Sequence, residues 1–163
     1  MEKYSNLTKF KAEDFDIWKM EFNPNIKKIE FEKLLEKIEK EYKQGSTFTF
    51  WYEEDGNKIG FLQVFGVMKH PFQSGYVEIS ILEKYRKKGY GKKAIKALED
   101  FSFNQIGIKK LIAPILPENT ASIALFNSLG FEKVHTDPYA FFLDGKAVAH
   151  EIYIKLNQYH LIK

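Results

Sequence analysis

The change of hydrophobic period at Gly45 constrains the fold of this 163-residue chain more than any other feature. Before it, residues 12–22 and 25–45 place apolar side chains three or four positions apart, which predicts two amphipathic helices. The stripe predicted to face the core in the second helix is Ile26, Ile29, Leu34, Ile38 and Tyr42. After Gly45, residues 46–67 form two aromatic and β-branched runs around Asp55-Gly56-Asn57, which is the pattern of a β-hairpin. Two helices must therefore pack on a sheet that the following residues build.

The rest of the chain predicts strands that alternate with helices. The predicted elements are a short first strand within 4–10, strands at 76–82, 109–116, 131–136, 140–143 and 147–156, and helices at 92–107 and 119–130. Asn119 is suited to cap the last helix, and Gly130 to end it. This order predicts a mixed α+β or α/β fold, a sheet with helices on its faces. A chain of this length is expected to form a single domain over residues 1–163.

The composition excludes several classes of protein. The chain has no cysteine, which excludes disulfides, thiolate metal sites and a cysteine nucleophile. A net charge of +3 is small for a protein that binds nucleic acid through a broadly basic surface, so we expect no nucleic-acid partner. No apolar run approaches the about 20 residues of a membrane span, and the first residues lack a basic-then-apolar signal pattern, so we expect a cytoplasmic protein without a membrane partner. The histidines at 70, 135, 150 and 160 show no ligand spacing, and no metal is expected.

A run of positive charges surrounds two glycines between a predicted strand and a predicted helix. The basic residues are Lys84, Arg86, Lys87, Lys88, Lys92 and Lys93, and the glycines are Gly89 and Gly91. Because like charges repel, an anion is expected beside them. Free N–H groups and the positive end of the dipole at a helix N-terminus favour the same ligand, and glycine lets the backbone approach phosphate oxygens closely. The loop is therefore predicted to hold a diphosphate, with a solvated charged turn as the alternative.

The spacing of the glycines excludes the P-loop, because no Ser or Thr follows a Gly-Lys pair. A dinucleotide fingerprint has no support either, since residues 109–116 contain no acidic residue. A second motif follows the loop. Arg86-Lys87-Lys88-Gly89-Tyr90-Gly91 fits [QR]-x-x-G-x-[GA], and "NTASIALFNSLGF" begins at Asn119. Together, in this order, the two motifs resemble the pyrophosphate loop and the second cofactor-contacting helix of the GNAT superfamily of N-acetyltransferases.

The resemblance, which runs from about Gly45 to the end of the chain, implies a fold, an activity and a coenzyme site. The implied fold is a central, mostly antiparallel twisted sheet of six or seven strands flanked by about four helices. The implied activity is that of an acyltransferase with acetyl-CoA as co-substrate. Ile79 and Ile81 would bind the pantetheine arm through backbone groups, and Asn119 would contact it, with Ser122 and Phe126 nearby. The diphosphate would be wrapped by Arg86, Lys87, Lys88, Gly89, Tyr90, Gly91 and Lys92.

Acetyl transfer to an amine requires a base, because an alkylammonium with a pKa of about 10.4 cannot attack. Glu78 is the carboxylate in the middle of the strand beside the loop, and it faces opposite to Ile79 and Ile81. It is predicted to be the general base, directly or through a water, with a solvent-facing glutamate as the alternative. A backbone N–H within residues 79–82 is predicted to stabilise the oxyanion.

The leaving thiolate, with a pKa of about 8.5, benefits from a proton donor but can depart without one. The family often has a tyrosine as general acid where this chain has Phe126, which carries no hydroxyl. Tyr139 is therefore predicted as a substitute acid, and Ser128 is a second candidate. If neither acts, the thiolate leaves unassisted.

The acceptor is predicted only as a small-molecule or peptide amine. Acidic residues near the first helix, Glu13, Asp14 and Asp16, are candidates to attract a cationic amine, although acids at a helix start are also expected for the helix dipole. Exposed strand edges at the C-terminal hairpin favour a homodimer. Two alternatives stay open: a CoA-binding module without catalysis, suggested by Phe126, and a nucleic-acid-binding domain that uses residues 84–93.

Overall fold

The computed structural model describes residues 4–157, which form one seven-stranded sheet with helices packed on it. The strands are β1 (Leu7–Thr8), β2 (Phe48–Glu54), β3 (Asn57–Met68), β4 (Ser74–Ile81), β5 (Lys110–Ile115), β6 (Glu132–Leu143) and β7 (Lys146–Leu156). The helices are α1 (Phe15–Glu21), α2 (Lys28–Gln44), α3 (Tyr90–Asp100) and α4 (Thr120–Ser128). Short 3₁₀ turns at Ala12–Asp14 and Glu83–Tyr85 come before α1 and α3, and α3 continues into a π-helical segment, Phe101–Ile106. His160, one of the predicted non-ligand histidines, lies outside the described residues.

The strands lie in the order β1-β2-β3-β4-β5-β7-β6. Neighbours are antiparallel except for β4 and β5, which are parallel and pair over only three residues, from Ser74 opposite Lys110 to Tyr76 opposite Ile112. The predicted fold, a mostly antiparallel sheet of six or seven strands with about four helices, is confirmed. The short parallel ladder is the feature that creates the candidate site.

The predicted hairpin between β2 and β3 is present and turns at two residues. Asp55 has a φ of 51° and Gly56 a φ of 74°, and a two-residue turn of type I′ requires positive φ at both positions. Short polar residues and glycine adopt this backbone conformation at low cost, which explains why Asp-Gly was a reliable signal here.

The two faces of the sheet are covered unequally. On one face, α3 and α4 pack on the sheet around fully buried side chains that include Leu62, Ile95, Leu98 and Leu111. On the other face, Trp51 and Phe61 form a smaller cluster with partly buried side chains of α1 and α2. The face that carries Trp51 is therefore covered by α1 and α2 at one end of the sheet.

The stripe predicted for α2 is partly wrong. Ile29 is 56% exposed, whereas Phe31, which was not predicted, is 1% exposed and packs against Phe15 and Trp18. Because α2 begins at Lys28, Ile29 lies in its first turn, on the side away from the sheet. The buried stripe starts at Phe31 and continues at helical spacing through Leu35, Ile38 and Tyr42.

The predicted break between residues 136 and 140 is also wrong, because β6 runs without interruption from Glu132 to Leu143. The register against β7 shifts between Asp137 and Phe141, so the irregular sequence is absorbed as a bulge. Pro138 is tolerated there because β6 is an edge strand, where a missing N–H breaks no ladder.

Candidate active site

The candidate site lies where β4 separates from β5. The parallel ladder ends at Tyr76, but β4 continues to Ile81 with β3 as its partner on the other side. β5 likewise continues to Ile115 with β7 as its partner. A gap therefore opens between two strands that each remain anchored in the sheet.

The backbone of Ile79 and Ile81 faces this gap. The N–H of Leu82 donates to the carbonyl oxygen of Ile59 in the segment that pairs with β4, at 3.0 Å. Since the N–H and C=O of alternate residues in a strand point to the same side, Ile81 and Ile79 present theirs to the opposite side, away from β3. Leu82, which belonged to the segment predicted to supply the oxyanion donor, has its N–H already occupied.

The basic glycine loop lies at the mouth of the gap and leads into α3. Lys87 has a φ of 59° and Gly89 a φ of 82°, and Gly89 is the N-cap residue of α3. Gly89 has no side chain that could cap the helix, and no acidic residue lies in the first turn of α3. The N–H groups of Tyr90, Gly91 and Lys92 have no carbonyl four residues earlier within the helix. This loop thus offers backbone donors and the positive end of a helix dipole to an anion.

A cleft of about 610 Å³ joins the gap to this loop. The residues that line it are Ile79, Ser80, Ile81, Tyr85, Arg86, Lys87, Gly89, Tyr90, Gly91, Lys92, Asn119, Ala121, Ser122 and Leu125. The structure therefore brings together every residue predicted to hold the coenzyme except Lys88 and Phe126. The lining residues that sequence reasoning missed are Ser80, Tyr85, Ala121 and Leu125.

Phe126 does not line the cleft, contrary to the prediction that it lies near the pantetheine. It is 3% exposed and packs edge-on against Phe131, with ring centroids 4.9 Å apart. Helical spacing explains the error, because Asn119, Ser122 and Leu125 are three residues apart and share one face of α4, whereas Phe126 points into the core. The same spacing was a signal in the sequence that could have found Leu125.

Helices α3 and α4 approach each other closely at Gly91 and Leu125, which both line the cleft. A Cβ placed on Gly91 would lie 3.2 Å from Cδ2 of Leu125, a tight contact that would require the leucine side chain to shift slightly. Asn119 caps α4 at the same place, since its Oδ1 accepts a hydrogen bond from the N–H of Ser122 at 3.1 Å. With its oxygen occupied, the amide nitrogen of Asn119 is the part of this side chain that is left to donate to a ligand.

The positive side chains of the loop do not all serve the cleft. Arg86 Nε donates to the carbonyl oxygen of Ile81 at 2.9 Å and so links the loop to the end of β4. Lys88 Nζ donates to the carbonyl oxygen of Lys84 at 2.9 Å, which explains its absence from the lining. Within residues 4–157, Lys87 and Lys92 have no hydrogen-bond or ion-pair partner for their ammonium groups, and both line the cleft.

Lys93 is held by the β2–β3 hairpin instead of the cleft. Its ammonium is 2.5 Å from Glu54 Oε1, and Tyr52 donates to Glu54 Oε2 at 2.9 Å. Burial, followed by the hydrogen bond to Glu54, raises the pKa of Tyr52 to about 12. The hydrogen bond to Glu54 raises the pKa of Lys93. Both groups therefore keep their protons at neutral pH, and the pair ties the start of α3 to the sheet.

Glu78, the predicted base, lies on the opposite face of β4 from the side chains of Ile79 and Ile81. It is exposed, and it lies two residues beyond Tyr76, where pairing with β5 ends. Gln63 Nε2 donates to Glu78 Oε2 at 2.6 Å. The side chains of Ile79 and Ile81 thus line the cleft on one face of β4, and the carboxylate of Glu78 lies on the other face.

The predicted substitute acids are not brought to the cleft. Tyr139 lies in edge strand β6, is 70% exposed, and its N–H is hydrogen-bonded to Oδ1 of Asp137. The hydroxyl of Ser128 donates to the carbonyl oxygen of Leu125 within α4, at 2.7 Å. The residues that line the cleft and carry a hydroxyl group are Ser80, Tyr85, Tyr90 and Ser122.

Asp14, suggested as an attractor for a cationic amine, is buried and fully engaged. It is 1% exposed, and its carboxylate accepts hydrogen bonds from Trp51 Nε1 at 3.0 Å and from the N–H of Lys11 at 2.7 Å. Lys58 Nζ lies 2.6 Å from its other oxygen. Burial lowers the pKa of Lys58, but the hydrogen bond and the charge of Asp14 outweigh this effect and raise it overall. The role of Asp14 is therefore structural, whereas Glu13 and Asp16 are exposed.

In the part of the chain from Tyr4 to Asn157, no helix is both long enough and apolar enough to cross a membrane. Over the same residues, no group of three or more metal-ligating side chains comes together.

Comparison with known proteins gives a consistent result. Residues 12–131 match the family model described as acetyltransferase (GNAT) family. The chain is similar to the uncharacterized N-acetyltransferase YycN of Bacillus subtilis (strain 168), with 32% identity over 76 residues that cover 46% of this chain and 48% of YycN. It is also similar to spermidine N(1)-acetyltransferase of Escherichia coli (strain K12), with 27% identity over 116 residues that cover 71% of this chain and 62% of that protein. The match thus spans about half of the first relative and less than two thirds of the second.

Among solved structures, the fold is similar to that of RimJ from Mycobacterium smegmatis in complex with CoA-disulfide. The TM-score is 0.86, with 17% sequence identity, and the match covers 94% of this chain and 82% of RimJ. At this identity, the similarity is evidence of a shared fold.

Proposed function

Because the chain belongs to the acetyltransferase (GNAT) family, we propose that it is an acetyl-CoA-dependent N-acetyltransferase that acts on a primary amine. The observation that carries the proposal is the cleft at the β4–β5 gap, which combines strand backbone groups that face away from β3 with a cationic loop at a helix N-terminus. These two features suit the two ends of one ligand, an amide-containing arm and a diphosphate. The family match over residues 12–131 spans all the residues that line this cleft.

In this proposal, the cleft binds the coenzyme in two parts. The N–H and C=O of Ile79 and the N–H of Ile81 hydrogen-bond the amides of the pantetheine arm, since the C=O of Ile81 already accepts from Arg86, and the amide nitrogen of Asn119 adds a donor. The diphosphate lies against the first turn of α3, where backbone N–H groups, Arg86, Lys87 and Lys92 supply positive charge. Lys88 and Phe126 support the site only indirectly, through the loop and the core.

The reaction proceeds by direct attack of the amine on the acetyl carbonyl, through a tetrahedral intermediate. The amine nitrogen forms a bond to the carbonyl carbon, its proton passes to Glu78 directly or through a water, and the bond from carbon to sulfur breaks. The backbone N–H of Ile79, which points into the gap, is our candidate to stabilise the oxyanion. A thiol with a pKa of about 8.5 is an adequate leaving group without an acid, so the mechanism does not need Tyr139.

The acceptor approaches from the face of β4 that carries Glu78. Glu78 is exposed on this face, so either a small-molecule amine or the amine of a peptide can reach it. Similarity to a spermidine acetyltransferase adds polyamines to the candidates. A homodimer through edge strand β6 remains a prediction of the sequence.

An acetylation screen tests the proposal. We expect release of free coenzyme thiol when the protein and acetyl-CoA are mixed with a panel of amines that includes spermidine, amino sugars, lysine and peptides with free α-amines. Calorimetry is expected to show saturable binding of acetyl-CoA, but not of ATP or NADH. Binding without turnover on any amine would favour a CoA-binding module without catalysis, and no binding at tens of micromolar would contradict the proposal altogether.

Glu78→Gln is expected to lower kcat/KM by about 100-fold at neutral pH, because the ammonium of the acceptor then has no base to receive its proton. The affinity for acetyl-CoA should not change, since Glu78 lies on the other face of β4 from the cleft. The loss should shrink as the pH rises toward the amine pKa of about 10.4, where the acceptor is deprotonated by solvent. The measurement is a pH profile of kcat/KM for both proteins, and a loss that does not depend on pH would exclude a general-base role.

A further inference from the structure

Three polar side chains form a row across β2, β3 and β4. Thr49 lies directly opposite Gln63, and Gln63 lies directly opposite Glu78. Residues that are directly opposite in an antiparallel pair project from the same face and touch. The row begins at Thr49, which is 4% exposed, and ends at the exposed carboxylate of Glu78 beside the gap.

Gln63 is hydrogen-bonded to both of its neighbours in the row, and Glu78 determines the orientation of its amide. The hydroxyl of Thr49 donates to Gln63 Oε1 at 3.4 Å, and Gln63 Nε2 donates to Glu78 Oε2 at 2.6 Å. An amide oxygen can only accept and an ionised carboxylate can only accept, so the reversed amide would set two acceptors against each other. The carboxylate of Glu78 thus keeps the amide nitrogen directed at itself, and the hydroxyl of Thr49, which can donate or accept, donates to the amide oxygen.

The hydrogen bond from Gln63 uses one carboxylate oxygen of Glu78 and leaves the other available to accept a proton. Oε2 accepts the hydrogen bond from Gln63, whereas Oε1 has no hydrogen-bond partner within residues 4–157. A glutamate on a strand surface has three rotatable bonds, and an exposed one samples several rotamers. A strong hydrogen bond to the charged form restricts it to one arrangement.

We propose that Gln63 is a positioning residue that holds Glu78 for the removal of the acceptor proton. The inference rests on the function proposed above, in which Glu78 is the base. Gln63 holds Oε2, and Oε1 takes the proton from the amine nitrogen, directly or through a water, as the new carbon–nitrogen bond forms and the carbon–sulfur bond breaks. Thr49 supports Gln63 by donating a hydrogen bond to its amide oxygen.

The test combines Gln63→Leu with Glu78→Gln in a double-mutant cycle. Gln63→Leu is expected to lower kcat by about tenfold, the effect of losing one hydrogen bond to a charged group, without changing the affinity for acetyl-CoA. In the Glu78→Gln background, the same substitution is expected to cause no further loss, because there is no base left to position. Gln63→Met, which keeps the length of the side chain, should behave like Gln63→Leu and guards against a packing effect of the leucine.

The matched control is Gln105→Leu, the same substitution at an exposed position of the π-helical segment, and it should leave kcat unchanged. Melting temperatures of all variants report on folding. Wild-type kcat in Gln63→Leu, or an equal loss with and without Glu78, would overturn the positioning role while acetyl transfer stands. A wild-type protein that binds acetyl-CoA but acetylates no amine would overturn the proposed function, and this inference with it.

Discussion

Replacement of Gly89 by valine is expected to weaken acetyl-CoA binding by about tenfold or more. Gly89 has a φ of 82° and is the N-cap residue of α3. A side chain in this conformation costs about 1–2 kcal/mol, and more when it is β-branched, so the loop should relax to a different backbone path. About 1.4 kcal/mol corresponds to a tenfold change in affinity. The relaxation would turn the first N–H groups of α3 away from the diphosphate, and calorimetry with acetyl-CoA measures the loss.

Gly107→Val is a closely matched control for this experiment. Gly107 has a φ of 81°, and like Gly89 it has no atom within 4 Å of an added Cβ. It ends the π-helical segment, at the opposite end of α3 from the cleft. The two substitutions should lower the melting temperature to a similar extent, whereas only Gly89→Val should change the affinity for the coenzyme. Equal affinities in the two variants would mean that the loop does not hold the diphosphate.

Asp14→Ala is expected to produce the largest loss of stability, about 3–5 kcal/mol, which is the usual cost of removing one partner of a buried ion pair. The carboxylate is 1% exposed, and its removal would leave the ammonium of Lys58 and the indole N–H of Trp51 without their shared partner. Urea denaturation measures the free energy of unfolding. Asp16→Ala, two residues along the chain and exposed, should change it little.

Asp14→Asn separates charge from hydrogen bonding in the same experiment. The amide oxygen can still accept from Trp51, but the ion pair with Lys58 is lost. An intermediate destabilisation is therefore expected. A loss no larger for Asp14→Ala than for Asp16→Ala would show that the buried cluster does not hold the first helical segment on the sheet.

The features predicted well from the sequence are those that depend on local chain geometry. Gly45 ends α2 in a left-handed conformation, Asp55-Gly56 turns the first long hairpin, and Asn119 caps α4 through its own side chain. In each case the residue type is required by a backbone conformation within a few positions. The glycine loop belongs to the same class, which explains why most of the cleft lining was predicted.

The features predicted wrongly depend on contacts between distant parts of the chain. Leu125 and Phe126 are neighbours of similar hydrophobicity, and only the packing of α4 decides which one faces the cleft. Asp14 looked like a surface acid because Trp51 and Lys58, its partners, lie about 40 positions away in other elements. The three-residue ladder between β4 and β5 has no signal in either strand, since the length of a ladder is a property of the pair.

That short ladder also determines how reactants can meet. A sheet paired along its whole length would separate its two faces, whereas β4 and β5 here part beyond Tyr76, with the cleft beside the opening and Glu78 on the face of β4 opposite to Ile79 and Ile81. If the coenzyme occupies the cleft and the acceptor lies beside Glu78, the two approach β4 from opposite faces, so that neither has to leave before the other binds. An enzyme with this layout is suited to a ternary complex, and the order in which its products depart need not repeat the order of arrival.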